Sequence, residues 1–159
     1  MAATRYQITP LLANQTEILP QKTNTQKKKH HKQNNQNKKK SGNTKRMIGD
    51  YHSALSDLNQ SHSINPNLPR VLTIRADVHR VLGNLQKSLE DFNAAGKVLK
   101  ENGITFCYHV HGFEFQPYED GTLLDYIIKN TNPEYVSFEM DVLWTQFGGG
   151  DPVALLKKY

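Results

Sequence analysis

Two apolar runs in the last third of the chain each carry side chains that can bind a metal ion or move a proton. The first run, ITFCYHVHGFEF, contains His109, His111 and Glu114, and the second, YVSFEMDVLW, contains Glu139 and Asp141. In a β-strand, residues i and i+2 point to the same face. His109 therefore shares a face with His111, and Glu139 shares a face with Asp141. Because sites in parallel α/β folds form at the carboxyl ends of strands, the sequence predicts one shared site there.

These residue types suit two kinds of chemistry. Carboxylates and imidazoles bind Mn²⁺, Mg²⁺, Co²⁺ or Zn²⁺, and both groups can accept and return a proton. Asp141 is the strongest candidate, because an acid inside an apolar strand is costly to bury unless it is paired or binds a metal. The plainer interpretation is that the histidines are hydrogen-bonded structural residues and that Glu114 is a loop acid.

Three longer segments carry a resemblance to a known family. CYHVHGFEFQP, SFEMDVLW and GGGDPVALLKKY together resemble the sugar phosphate isomerase/epimerase family, whose fold is the xylose-isomerase-like TIM barrel. The resemblance extends from Phe92 to Tyr159, with Val110 where the family usually has Asn. It implies a metal-dependent ketose–aldose isomerisation or epimerisation by proton transfer, with a sugar or sugar phosphate as the substrate.

The resemblance also implies roles for individual residues. Glu114 and Asp141 would be metal ligands, Glu114 and His109 would be catalytic, and His111 and Trp144 would contact the sugar. The cofactor would be Mn, Mg, Co or Zn, with the alternative that this fragment holds none. A TIM barrel has eight strands and this sequence supplies two, so we expect a truncated barrel that is inactive alone.

Local signals place these residues on a βαβ unit with flanking helices. Asn102–Gly103 would end the preceding helix, and residues 104–109 form a β-rich run. Thr122 caps a short helix, LLDYIIKN, and Tyr135–Trp144 is predicted to be the second strand. Asp151–Pro152 opens a last helix, as an N-cap followed by proline at the first helical position.

Upstream of this unit, the chain repeats itself at an interval of 34 residues, because GDYHSALSDLNQS (49–61) aligns with GNLQKSLEDFNAA (83–95). The pattern resembles the tetratricopeptide repeat, a helix–turn–helix unit of about 34 residues, which implies a peptide or protein partner. The alternative is a helical hairpin whose spacing matches by coincidence. Three repeat helices are predicted: Tyr51–Ile64, Arg70–Leu82 and Leu85–Ala95.

Residues 1–46 differ from the rest in charge, since they carry eleven Lys and Arg against one acid in a chain of net charge +5. Residues 22–46 contain almost nothing apolar, so they cannot offset an ordering entropy of about 1–2 kcal/mol per residue, and the tail is predicted to be disordered. Clustered lysines would suit the phosphates of a nucleic acid. The plainer interpretation is a solvated low-complexity tail.

Cys107 is the only cysteine and is predicted to lie in a buried strand, which leaves no intrachain disulfide and fits a reducing compartment. No apolar run approaches the roughly 18–20 residues that span a membrane, so no membrane partner is expected and a cytoplasmic location is the default. The predicted fold class is an α/β fragment, a βαβ piece of a TIM barrel, preceded by α-helical tetratricopeptide-like hairpins and a disordered basic tail. The predicted domains are the tail at 1–46, the partial repeat region at 47–95 and the truncated barrel at 96–159.

Overall fold

A computed structural model of the protein describes residues 24–159. The chain forms an array of four helices, followed by a small α/β unit. The helices are α1 (Asn24–Met47), α2 (Tyr51–Ile64), α3 (Pro69–Val81), α4 (Leu85–Glu101), α5 (Leu123–Lys129), α6 (Val142–Phe147) and α7 (Pro152–Lys158). The strands are β1 (Cys107–His109), β2 (Pro117–Tyr118), β3 (Gly121–Thr122) and β4 (Ser137–Glu139), with a 3₁₀ turn at Phe113–Phe115. Within residues 24–159, no helix combines the length and apolar character needed to cross a bilayer.

Helix α1 overturns the prediction of a disordered segment for residues 24–46 and adds a fourth helix to the three predicted for the array. Residues 1–23 of the predicted tail lie outside the described residues. The helix packs on α2 through polar contacts: Asn35 Nδ2 donates to the Ser61 carbonyl at 3.3 Å, and Ser61 Oγ donates to Asn35 Oδ1 at 2.6 Å. A Cβ at Gly42 would lie 2.7 Å from Leu58 Cγ, so glycine permits the close approach. The interface therefore forms without an apolar stripe on α1.

Asp57 of α2 anchors the C-terminal half of α1. Its carboxylate accepts hydrogen bonds from Lys45 Nζ at 2.7 Å, Ser41 Oγ at 2.6 Å and Lys38 Nζ at 3.1 Å. The hydrogen bond from Lys45, together with those from Ser41 and Lys38, lowers the pKa of the buried Asp57 from 3.8 to about 2. A carboxylate whose pKa falls on folding stabilises the folded state above its unfolded pKa and loses that contribution as the pH drops towards its folded pKa.

We expect Asp57→Asn to lower the free energy of unfolding by about 2 kcal/mol at neutral pH, because charge-assisted hydrogen bonds contribute more than neutral ones. The wild-type protein should lose this advantage between pH 3.8 and about 2, whereas the variant should not. Urea unfolding at several pH values measures both effects. Two parallel stability curves across that pH range would contradict the assignment.

The 34-residue interval seen in the sequence recurs in the contacts of the array. Ser41 binds Asp57, and 34 residues further on Arg75 binds Asp91, with Nε 2.7 Å from Oδ2. Other pairs of residues that are 34 positions apart are buried at both positions. These pairs are Gly42 and Ala76, Ala54 and Ser88, Leu58 and Phe92, and Ser61 and Ala95. The α1–α2 and α3–α4 pairs are therefore two copies of one packing unit, and the tetratricopeptide assignment stays a prediction.

The turns that close each copy also match. Gly49 and Gly83 have φ values of 83° and 76°, a conformation that residues with a Cβ rarely adopt. Each glycine follows a helix and precedes the cap of the next one, Asp50 or Asn84. The same backbone reversal therefore joins the two helices of each pair.

The α/β unit contains the predicted parallel strand pair. Strand β1 pairs with β4, with His109 opposite Glu139, and α5 lies between them in the chain. The capping predictions are confirmed: Thr122 forms a capping box with Asp125 at the start of α5, and Asp151 accepts backbone N–H groups at the start of α7. Strand β1 buries Tyr108 and leaves Cys107 exposed, so the prediction of a buried cysteine is wrong.

The second strand is shorter than predicted. The run Tyr135–Trp144 is a strand only at Ser137–Glu139, and α6 begins at Val142. The reason is Asp141, whose Oδ1 accepts the backbone N–H of Trp144 at 2.9 Å as the N-cap of α6. Asp141 therefore ends the strand and is not an acid inside it.

One hydrophobic core joins the array to the α/β unit. Phe92 of α4 packs edge-on against Tyr108 of β1, with ring centroids 5.4 Å apart. The same buried cluster includes Ala76 of α3, Ile127 of α5 and Val136 before β4. The packing thus crosses residues 95–96, where the sequence places a domain boundary, so α3 and α4 support the elements that carry the candidate site.

Candidate functional site

His109 lies between two carboxylates at the carboxyl ends of the parallel strands. Its Nδ1 is 3.5 Å from Glu139 Oε2, and its Nε2 is 3.6 Å from Asp141 Oδ2. The register of β1 and β4 produces the first contact, because His109 and Glu139 are direct neighbours across the strand pair. Of the residues predicted to share a site, His109, Glu139 and Asp141 therefore lie together.

Both nitrogens of His109 face acceptors, although a neutral imidazole has only one N–H to donate. The two distances exceed those of ordinary hydrogen bonds, so the imidazole is not locked to either carboxylate. The side chains are 37% exposed at His109, 63% at Glu139 and 29% at Asp141. A polar ligand arriving from solvent can therefore reach donors and acceptors on three neighbouring side chains.

An aromatic group lies beside these polar side chains. The His111 ring is 4.8 Å from that of His109 and 6.1 Å from that of Trp144, measured between centroids. Phe113 stacks on His111 at 5.9 Å with an angle of 19° between the rings. Trp144 is 40% exposed, and the cap formed by Asp141 places it in the first turn of α6. The structure therefore brings together His109, His111, Asp141 and Trp144, whereas their roles in binding a metal or a sugar stay predictions.

Glu114 occupies a different environment from the other candidates. Its side chain is completely buried, with Oε1 accepting from Tyr108 Oη at 2.9 Å and Oε2 accepting from the His111 backbone N–H at 3.0 Å. Burial and the nearby Glu114 charge raise the pKa of Tyr108 well above its usual range. In this conformation, Glu114 fixes the loop that carries His111.

The site contains residue types that can bind a metal ion, but they are dispersed. Among residues 24–159, no group of three or more His, Cys, Asp or Glu side chains is arranged to hold a metal ion. Glu114, one of the two predicted ligands, already accepts two hydrogen bonds inside the protein. The residues do not form a ready metal site, and a divalent cation stays a prediction from the resemblance.

Sequence reasoning missed three residues that shape this site. Tyr108 binds Glu114, and its position directly before His109 in a β-rich run is the available signal. Phe113 packs against His111, but nothing in its spacing indicates that contact. Gly148 lies so close to Gly112 that a Cβ would come within 2.7 Å of the Gly112 Cα. Gly148 therefore brings the end of α6 against the loop that follows His111.

No protein-family model and no curated protein matches the chain. Over part of its length, the chain is similar to two crystal structures of sugar phosphate isomerase/epimerase proteins from Parabacteroides distasonis. The first is 30% identical with a TM-score of 0.45, covering 59% of this chain and 42% of that chain. The second is 28% identical with a TM-score of 0.46, covering 60% of this chain and 44% of that chain. The chain thus spans less than half the length of either structure.

Proposed function

We propose that the face formed by β1, β4 and the start of α6 binds a sugar or sugar phosphate, in the manner of a sugar phosphate isomerase/epimerase. The observation that carries this proposal is the placement of His109 between Glu139 and Asp141, with distances of 3.5 and 3.6 Å. The motifs CYHVHGFEFQP and SFEMDVLW, which resemble that family, supply these three residues.

The chemistry of the face fits a polyhydroxylated ligand. Carboxylate oxygens accept hydrogen bonds from hydroxyl groups, and an imidazole N–H donates to them. The exposed indole of Trp144 supplies an apolar surface for the C–H groups of a sugar ring. Polar groups that fix orientation beside an apolar wall are typical of small-molecule sites.

Proton transfer between adjacent carbons of a sugar needs a carboxylate or imidazole within reach of the substrate. Glu139 is the most exposed acid of the face, and His109 is half-buried beside it. We propose that His109 and Glu139 contact the substrate and that Glu114 acts by holding the His111 loop. A TIM barrel closes its site with eight strands, so we propose that this chain binds the sugar without turning it over alone.

Trp144 is the only tryptophan in the chain, so its fluorescence tests the proposal without a label. We expect fructose 6-phosphate to cause a saturable change in emission. Asp141→Asn should weaken that binding about tenfold, the effect of losing about 1.4 kcal/mol, because the variant removes a charge while an amide oxygen still caps α6.

Asp151→Asn is the matched control, since Asp151 caps α7 in the same way but takes no part in the candidate site. Its binding curve should match that of the wild-type protein. The proposal fails if neither fructose 6-phosphate nor xylose changes the emission, or if the two Asn variants bind alike.

A second proposal concerns the helical array, which would bind a peptide or protein partner. It is favoured by the repeated packing of the array, in which the contact between Ser41 and Asp57 has an equivalent 34 residues later, between Arg75 and Asp91. A nucleic-acid partner stays a further prediction, supported by the exposure of Lys27, Lys28, Lys29 and Lys32 on α1. Peptide binding would be insensitive to Asp141→Asn, and nucleic-acid binding would weaken steeply with salt.

A further inference from the structure

Arg80 of α3 connects the helical array to the candidate site. Its Cζ lies over the ring of Phe113, 4.5 Å from the centroid, within the range of a cation–π contact. Phe113 in turn stacks on His111 at 5.9 Å. A single aromatic ring thus contacts both a guanidinium of the array and an imidazole of the site.

The guanidinium of Arg80 is itself held in place. Its Nη2 donates to Asp77 Oδ1 at 2.6 Å, and the other oxygen of Asp77 accepts from Arg46 Nη1, also at 2.6 Å. Asp77 and Arg80 belong to α3, whereas Arg46 belongs to α1. The side chains are 26 to 32% exposed, so this cluster is partly shielded from solvent and restricts where the Arg80 guanidinium can lie.

His111 depends on its neighbours for its orientation. Its backbone N–H donates to Glu114 Oε2, and its Nδ1 lies 3.8 Å from Glu114 Oε1. The side chain is still 50% exposed, and its ring packs against those of His109, Phe113 and Trp144. Phe113 is itself 38% exposed, so the cation of Arg80 is the charged contact that favours its stacked position.

We propose that Arg80 is a positioning residue for His111, acting through Phe113, so that the helical array sets the geometry of the candidate sugar site. Its consequence for sugar binding rests on the function proposed above. The effect of Arg80 on the packing of the rings in the site does not rest on that function, because it can be measured without any ligand.

The test uses the full chain with Trp144, 6.1 Å from His111, as the reporter. Arg80→Ala should change the Trp144 emission intensity and its quenching by acrylamide at constant pH, while far-UV circular dichroism stays at the wild-type level. Arg80→Lys keeps a cation but loses the planar fork and should give an intermediate value. Arg70→Ala, an exposed arginine on the same helix, should behave as the wild-type protein.

Fructose 6-phosphate should bind about two- to fivefold more weakly to Arg80→Ala, the range of an exposed cation–π contact. Identical Trp144 quenching in Arg80→Ala and Arg70→Ala overturns the positioning role. If Arg80→Ala loses helical structure, Phe113→Leu decides in its place: altered quenching supports the link and unaltered quenching overturns it. Altered quenching with no sugar binding to any form supports the link while the proposed function fails.

Discussion

Glu114→Ala is expected to lower the free energy of unfolding by about 3 kcal/mol. The substitution removes two hydrogen bonds, leaves the buried Tyr108 hydroxyl without its acceptor and opens a cavity at a fully buried position. An unsatisfied buried polar group costs about 1–3 kcal/mol, and the cavity adds to that cost. Urea unfolding followed by circular dichroism measures the difference.

Two further variants make the test specific. Glu114→Gln keeps the side-chain volume and an oxygen for Tyr108, but its amide nitrogen would face the His111 N–H donor, so we expect a loss of about 1–2 kcal/mol. Glu134→Ala removes a carboxylate that is 68% exposed and should change stability by less than about 0.5 kcal/mol. If Glu114→Ala instead matched Glu134→Ala in stability but abolished sugar binding, Glu114 would have the catalytic or metal-binding role that the resemblance implies.

Local chemistry made several elements predictable from the sequence. Thr122 and Asp151 cap α5 and α7 because their side-chain oxygens meet the unpaired N–H groups of a first helical turn. The parallel pairing of the two runs followed from strand-like composition on either side of a helix. The pairing of His109 with Glu139 followed from the parallel register of the two strands, whereas Asp141 approaches His109 from the N-cap of α6, outside either strand.

Tertiary packing decided what the sequence could not show. Helix α1 has no apolar face, so hydrophobic periodicity gives no sign that it packs on α2. The interface is made instead by Asn35, Gly42 and the ion pairs to Asp57. The contact between Arg80 and Phe113 joins two helical turns that are distant in the chain. Neither contact has a local signature.

The direction of Glu114 was also beyond the reach of strand periodicity. Strand β1 ends at His109, and Glu114 lies in the 3₁₀ turn Phe113–Phe115, where side chains no longer alternate between two faces. The turn aims Glu114 inward at Tyr108. In the second run, the sequence is compatible with Asp141 either as an acid within a strand or as the N-cap of a helix. In the structure it is the N-cap, and α6 starts at the next residue.

Helix α4 packs closely on the segment before β4, and a substitution at this contact is expected to have the second large effect on stability. Gly96 is buried in α4, and a Cβ there would overlap the carbonyl oxygen of Tyr135 and lie 3.1 Å from the Tyr135 Cβ. The obstructing segment cannot withdraw easily, because the backbone N–H of Asn132 donates to Asn93 Oδ1 of the same helix at 2.7 Å. Alanine at position 96 must therefore displace backbone.

We expect Gly96→Ala to lower the free energy of unfolding by about 2–3 kcal/mol, even though alanine is favoured over glycine in a helix by about 1 kcal/mol. Gly42→Ala is the matched comparison, since Gly42 is also buried in a helix but faces the Leu58 side chain at 2.7 Å. A Cβ at Gly42 would also lie 3.2 Å from the Ala54 carbonyl oxygen, but no backbone atom there comes as close as the Tyr135 carbonyl oxygen does at Gly96. This variant should therefore lose less stability than Gly96→Ala, about 1–2 kcal/mol. Equal losses in urea unfolding for the two variants would mean that the packing of α4 on the strand pair is looser than the structure indicates.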